Sequence, residues 1–397
     1  MPLRLTTVLF SVFLLSMSCL YTACQAPTPP PPLAEDLLRR SCAWLWDQQG
    51  EDGGWHSETH GILKGGESFT AFILWHLLCV DKTVFPRDEQ KVQKGLQFLR
   101  SHLSEEGVLG VSDPMIVDYP NYATAHALRT LSRYGTQTDR LLIQQMADYL
   151  LSQQFTEQRG ISSEQLAYGA WGFGETHLTE GATGHVDLSH TRRILESLRW
   201  AGRLDSASLR KVGSFLQVVQ KHPKGQKPQP GHHSLDSLTY DGGFYASAVT
   251  TSTNKSRLDS LQLYPSYATA TADGLLALLA AGRAVESEEV QAAHCWLQAH
   301  PILYRPEGIP TDDPYRWHEV MFFYHLSVRA EALAAVGDEG EWREKMSKLL
   351  QEVQRSDGSY LNPVGSLNKE DDPLLATALG IIALRSCLPS PNLYSCR

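Results

Sequence analysis

The sequence predicts an all-α fold of the α6/α6 toroid class, a double ring of six outer and six inner helices. Three observations carry that prediction. Helical periodicity runs from Leu33 almost to the end of the chain, with hardly any strand alternation. The helical stretches alternate between charged amphipathic ones and ones apolar around most of their circumference, and a helix apolar all round must be buried all round. One piece of punctuation also recurs between them. It reads Gln49-Gly50-Glu51-Asp52-Gly53-Gly54-Trp55 at its first appearance and Gln354-Arg355-Ser356-Asp357-Gly358-Ser359-Tyr360 at its last. Its glycine–aromatic part returns in Tyr168-Gly169-Ala170-Trp171-Gly172-Phe173 and in Tyr240-Asp241-Gly242-Gly243-Phe244-Tyr245. Spaced self-similarity of this kind marks a repeat architecture.

Taken in order, the helical segments pair off. Residues 33–48 run into the first glycine turn and 67–80 follow it. Residues 87–103 and 122–134 form the second pair, 139–154 and 187–201 the third. The fourth, 205–220 and 267–281, is split by a polar insertion from Lys221 to Leu263 that reads as a surface loop or lid. Residues 287–300 and 315–336 are the fifth pair, and 341–354 with 372–386 the last. First members carry charge, as in the stretch from Asp88 to Leu99; second members are small and apolar, as from Ala272 to Gly282 and from Ala376 to Leu384.

The chain has 397 residues, 42% of them hydrophobic, and a formal charge of −9, an ordinary globular composition long enough for one large core or two smaller ones. An acidic balance without basic runs argues against nucleic acid as a partner. Residues 1–23 read as a signal peptide: Arg4, then an apolar run from Val8 to Leu15 too short to span a bilayer, then small residues. Leu20-Tyr21-Thr22-Ala23-Cys24 resembles a bacterial lipobox, which implies lipid attachment at Cys24; Tyr21 departs from the usual residue, and plain secretion stays open. The Pro-rich residues 24–32 suit an extended tether. The toroid then occupies 33–387, outside the cytoplasm, with a short tail at 388–397. Of the remaining cysteines, Cys42 with Cys79 and Cys387 with Cys396 could pair in an oxidising compartment or stay free; Cys295 makes up the five. None has metal-ligand spacing.

The Gln…Gly-x-Trp turns resemble the repeats of squalene–hopene and oxidosqualene cyclases. The alternating helices resemble the wider class of terpenoid cyclases and protein prenyltransferases. Residues 370–378 and 264–270 are similar to segments of exported bacterial proteins with prenyltransferase/squalene-oxidase repeats. The resemblance covers Leu33 to Cys387 and implies a central cavity for an isoprenoid or other apolar ligand.

In such a toroid the loops entering the inner helices surround the cavity mouth. Those entrances bring Glu67, Ser68, Asp118, Tyr119, His185, Ser189, Asp273, His325 and Asp371 into play. The catalytic candidates are Asp187, His190 and Asp372; the ligand-lining candidates are Tyr122, His126, Tyr264, Tyr267, Trp317, His318 and Phe322. Each also has a plain structural reading. Asp187 and Asp372 stand where helix N-caps belong, and buried Tyr or His can simply pack with one hydrogen bond.

Residue by residue, the resemblance transfers unevenly. Squalene–hopene cyclases protonate an alkene with the middle acid of Asp-x-Asp-Asp-Thr. The matching run here is Asp187-Leu188-Ser189-His190-Thr191, with a serine in the acid's place. A hydroxyl does not protonate a carbon–carbon double bond at a useful rate. The prenyltransferase zinc site needs Asp, Cys and His, and no cysteine stands beside Asp371-Asp372. His318 and His325 lie seven residues apart, too far for a two-histidine zinc motif but two turns apart on one face. No metal or other cofactor is expected. Three readings therefore remain. The first is a divergent cyclase-like enzyme. The second is a non-catalytic tethered domain that holds a lipid, glycan or small molecule. The third is a carbohydrate-active toroid, either a hydrolase with Asp118 or Asp187 opposite Asp372 or a lyase using Tyr with His. Oligomeric state is not legible.

Overall fold

The computed structural model describes residues 32–389, apart from 114, 117, 176–177, 224–239 and 260–262. The signal segment, Cys24, the tether and Cys396 lie outside the described residues. Six outer helices are α1 (Leu33–Asp47), α3 (Glu89–His102), α5 (Arg140–Ser152), α7 (Ser206–Val219), α9 (Glu288–Ala299) and α12 (Trp342–Val353). The inner ring is α2 (Glu67–Leu78), α4 (Pro120–Tyr134), α6 (Leu188–Trp200), α8 (Ala268–Ala280), α11 (Phe322–Ala335) and α13 (Pro373–Cys387), and the one-turn α10 (Trp317–Val320) precedes α11. Each inner helix packs on the next, and α13 packs back on α2, so the ring is closed. No helix among the described residues is long and apolar enough to cross a membrane.

The recurring turn has a specific physical job. A glutamine at the C-terminal end of an outer helix donates its amide both to its own glycine turn and to a carbonyl of the following outer helix. Gln49 reaches Gly53 O and Lys91 O at 2.9 and 3.0 Å. Gln154 reaches Gly169 O at 3.0 Å and Ser208 O at 3.4 Å. Gln220 reaches Gly242 O and Glu289 O at 3.2 and 2.8 Å. Gln354 does the same to Gly358 O and, on α1, to Leu37 O at 3.3 and 3.0 Å. Thus one amide stitches neighbouring outer helices four times, and the last stitch closes the outer ring.

Glycine is required in these turns. Gly169, at φ +87°, would carry a Cβ only 1.8 Å from Lys211 O. The aromatic that follows is buried, and its backbone N–H is taken by a threonine of the next inner helix. Trp55 N donates to Thr70, Trp171 N to Thr191, Phe244 N to Thr271 and Tyr360 N to Thr377, all at 2.9–3.1 Å. Leu109 N donates to Thr124 in the same way, at 2.9 Å, in a turn whose aromatic is absent. Burying one such aromatic contributes on the order of 4–6 kcal/mol of gross hydrophobic stabilisation.

Two features differ from the sequence expectation. The stretch 315–336 is two helices, because Met321 leaves α-helical geometry (φ −101°, ψ +33°). Glu370 fills the break by accepting from the Phe323 and Tyr324 amides. Residues 242–248 of the insertion are buried rather than surface loop, Phe244 and Tyr245 fully so. Within it Asn254 spends its side chain on Ala246 N, Ser247 N and Ser247 O. Cys42, Cys79, Cys295 and Cys387 are free thiols, one of the two outcomes the sequence leaves open; burial pushes the Cys387 thiol up to about 12.

Candidate active site

The inner helices leave an axial cavity of about 340 Å³. Its walls are apolar where the inner faces of α2 and α13 meet it, at Phe69, Phe72, Leu375 and Leu379. Its polar groups fall into two sets, one at the mouth and one at the floor.

The mouth set is built on the start of α6. Asp187 is the N-cap, its Oδ1 accepting from His190 N at 2.7 Å, so the cap reading is correct as far as it goes. The same carboxylate takes both neighbouring imidazoles: His185 Nε2 lies 2.6 Å from Oδ2, and His190 Nδ1 lies 3.0 Å from it. Ser189 adds its hydroxyl at 3.0 Å. Phe173 stacks on His185 with ring centroids 3.7 Å apart and leans on His190 at 4.5 Å. Burial would raise the Asp187 pKa, but the histidines beside it hold the carboxyl well below its ordinary range. An ionised carboxylate only accepts hydrogen bonds, so the His190 Nδ1 that faces it carries a proton.

The ligating atoms of His185, Asp187 and His190 lie within 4.8 Å of one another, the spacing a divalent ion could bridge. Each of those atoms already serves a hydrogen bond within the trio.

Around the mouth, Lys255 lies 3.6 Å above the Trp317 ring, and burial lowers its pKa to about 8. Lys369 donates to the Tyr119 hydroxyl at 2.9 Å. Among the described residues, Tyr119, Arg316 and Lys369 are the non-glycine residues with left-handed backbone. Two of them line the cavity, and the third precedes Trp317 on its rim. Strained backbone of this kind persists where the surroundings over-determine it.

The floor set is a buried charge network. Arg192 donates to Glu196, Asp273 and Glu331 at 2.7, 2.9 and 2.6 Å. Arg385 and Arg129 reach Glu331 and Glu196 at 3.5 and 3.1 Å. Asp273 also accepts from Tyr324 OH at 2.6 Å, and its burial raises its pKa. Arg193, Asp273 and Tyr324 line the cavity itself.

Of the ten catalytic and ligand-lining candidates, Asp187, His190, Tyr122, Tyr267 and Trp317 line this cavity. The other five are elsewhere. His126 is fully buried behind Tyr122 and Phe72, at 4.6 and 5.2 Å between centroids, and burial drives its pKa far down. Tyr264 stacks on Tyr245, 6.0 Å away. Phe322 packs on Phe323. His318 pairs with Glu319 at 3.2 Å, whereas His325 bonds Ile302 O at 3.1 Å. The helix break at Met321 removes the two-turn register that would align those two imidazoles. Asp372 is the N-cap of α13, bonded to Leu374 N and Ser57, and His60 holds Asp371 at 2.7 Å. Asp118 is absorbed by the Ser68 hydroxyl and amide. Asp118 and Asp372 therefore do not line the cavity opposite Asp187, as a glycosidase pair would. Sequence reading missed Arg193, Tyr324, Lys255 and Lys369.

The closed double ring has the α/α-toroid fold of several solved structures, terpene cyclases among them. Type II terpene cyclase MstE from Scytonema superposes with a TM-score of 0.52 at 13% identity, covering 89% of this chain and 98% of that one. A protein from Actinoplanes gives 0.54 at 14% identity, covering 89% and 99%. An alpha-amylase from Clostridium perfringens gives 0.51 at 10% identity, covering 90% and 99%. These likenesses are of fold. In sequence, a lanosterol synthase from Aspergillus fumigatus is 29% identical over 112 residues, 25% of this chain and 15% of that enzyme. The chain thus matches only a small part of that relative's length. No protein-family model matches the chain.

Proposed function

We propose that this is an exported, cyclase-like toroid that binds an isoprenoid-class or similarly apolar ligand in its axial cavity. In this reading His190, oriented by Asp187, acts on the ligand as a general base. The observation that carries the proposal is the Asp187–His190 pair facing an aromatic- and leucine-walled cavity. Asp187 is held ionised and so is a poor donor to an alkene. Its role is to fix the imidazole tautomer and to stabilise the imidazolium formed when Nε2 takes a proton from the ligand or from a water attacking it. The supported reaction class is therefore proton abstraction or hydrolysis, not cyclisation started by alkene protonation.

The test is incubation in D₂O of wild-type protein, Asp187→Asn and His190→Gln with the ligand extracted from the native membrane. Deuterium uptake or product is read by mass spectrometry, and ligand retention separately. Turnover is expected to fall about 100- to 10,000-fold in His190→Gln with binding kept. Undiminished turnover in both variants, or none in the wild type, would sink the catalytic reading, the latter leaving a binding module.

The address is part of the proposal. A lipid on Cys24 with a proline-rich tether would hold the domain at a membrane face, where apolar ligands reside. Cys24→Ser is expected to move the protein from the membrane to the soluble fraction of a native-type host. An unchanged membrane fraction would exclude the anchor.

A further inference from the structure

Arg193 and Arg385 are the arginines of the floor network that come no nearer than 3.5 Å to a carboxylate, and of the two it is Arg193 that lines the cavity. Its side chain is 3% exposed, and its Nη1 stands 3.7 Å from Glu196 and 3.5 Å from Glu331. That nitrogen has no hydrogen-bond partner. Arg192, next to it, binds three carboxylates at 2.6–2.9 Å. The difference follows from helix geometry. Arg192 points along α6 toward α8 and α11, whereas Arg193 shares the face of His190, three residues earlier, and lines the cavity. A guanidinium this deeply buried and this poorly satisfied is costly unless something completes it.

The charge count says what. Arg129, Arg192, Arg193 and Arg385 face Glu196, Asp273 and Glu331: four positive against three negative, a net +1. One negative charge from the cavity neutralises the set. A dianion would leave a buried excess of the opposite sign beside Asp273 and Glu331.

We propose that Arg193 is the head-group site of the cavity, and that the ligand is an apolar chain ending in a singly charged carboxylate. This deepens the preceding reading and rests on it. With the carboxylate on Arg193, the chain lies against Phe69, Phe72, Leu375 and Leu379. Because three helical residues rise about 4.5 Å, the base at His190 then faces atoms a few bonds from the carboxylate. The Asp187–His190 pair acts near the charged end of the molecule, not at its far terminus.

The test is equilibrium binding to the full-length protein of farnesoic acid, its methyl ester and farnesyl monophosphate, with Arg193→Met alongside. Wild type should bind the acid at least tenfold more tightly than the ester, the range of a charge-assisted bidentate contact. It should also prefer the acid to the dianionic phosphate. Arg193→Met should bring acid and ester within about threefold. This variant keeps three arginines against three acids, so the floor stays balanced and the fold is retained. The acid–ester comparison in wild type stands whether or not it folds. Equal binding of acid and ester in wild type, or a preference kept in Arg193→Met, overturns the head-group assignment and leaves the apolar cavity intact. Tighter binding of the phosphate overturns the single-charge argument. No binding of any of the three overturns the apolar-ligand reading as well.

Discussion

Arg192→Met is expected to destabilise the protein by more than 4 kcal/mol, read as a fall in the urea midpoint or as loss of soluble protein. Arg192 is 1% exposed and holds Glu196, Asp273 and Glu331 from three different inner helices. Removing one partner of a buried pair typically costs about 3–5 kcal/mol because the other charge is stranded. Here three carboxylates lose their shared cation, and only Arg129, Arg193 and Arg385 remain to spread over them. The pH dependence gives a second readout. The arginines around Glu331 lower its pKa from 4.5 to about 2 despite its burial. A depressed carboxylate contributes stability that is present above the unfolded value and is lost as pH falls through the folded one. Wild type should therefore lose about 3 kcal/mol between pH 4.5 and 2 from this group. The variant should lose much less there, its Glu331 having returned toward the ordinary range. A variant as stable as wild type, with the same acid slope, would show that the network is ornamental.

Glu370→Ala carries the second large effect. Glu370 is fully buried and accepts four N–H bonds: the Phe323 and Tyr324 amides, and the side-chain amides of Asn362 and Asn368, at 2.8–3.1 Å. It is the N-terminal acceptor of α11, supplied from a distant loop, and it holds open the break at Met321 that sets Trp317 on the cavity rim. Each orphaned buried donor costs about 1–3 kcal/mol, so a total of about 4 kcal/mol is expected by urea denaturation. Glu370→Gln should fall between, since one oxygen becomes an NH₂ that faces donors. Burial raises the Glu370 pKa to about 7 against the pull of those donors. The sign is opposite to that at Glu331. The folded state holds the proton longer, so the contribution is full below about pH 4.5 and declines as pH rises to 7. Glu370→Gln should remove that slope. If its pH profile overlays wild type, the titrating group is another.

The ring was legible because its repeat is written in residues with narrow physical roles. A glycine with positive φ pressed on a backbone carbonyl admits no substitute, and the glutamine and aromatic on either side of it occur at fixed spacing. The alternation of charged and apolar helices then gave inner and outer. The candidate site was legible only in outline. Inner-helix starts do surround the cavity, which is why Asp187, His190, Tyr122, Tyr267 and Trp317 line it. Rotation about each helix axis decides which of two neighbours points inward, and no pattern in a single segment fixes that angle. Hence Arg193 lines the cavity while Arg192 beside it does not; Tyr264 and Tyr267 stand before α8, where no periodicity fixes the path of the chain. The break at Met321 was invisible because its acceptor, Glu370, is 47 residues away in sequence. One signal was there to be read: Arg192-Arg193 interrupt a helix that the alternation rule makes an inner one. Adjacent arginines in a segment that must be buried require partners, protein or otherwise.

The last glutamine stitch has a consequence for how the molecule is made. Gln354 bonds Leu37 O, 317 residues away, and Ser41 beside it, by the same contact that joins interior neighbours. The junction between α12 and α1 is thus a break in covalent continuity only. The entropy of closing so long a loop rises merely with the logarithm of its length, about 0.6 kcal/mol per doubling. Time is the larger constraint. The surface of α1 that faces α12 and α13 waits uncovered until the last two helices of the ring have been synthesised. An aggregation-prone greasy flank at the very start of the domain is a permanent condition of its birth, whatever the finished ring conceals.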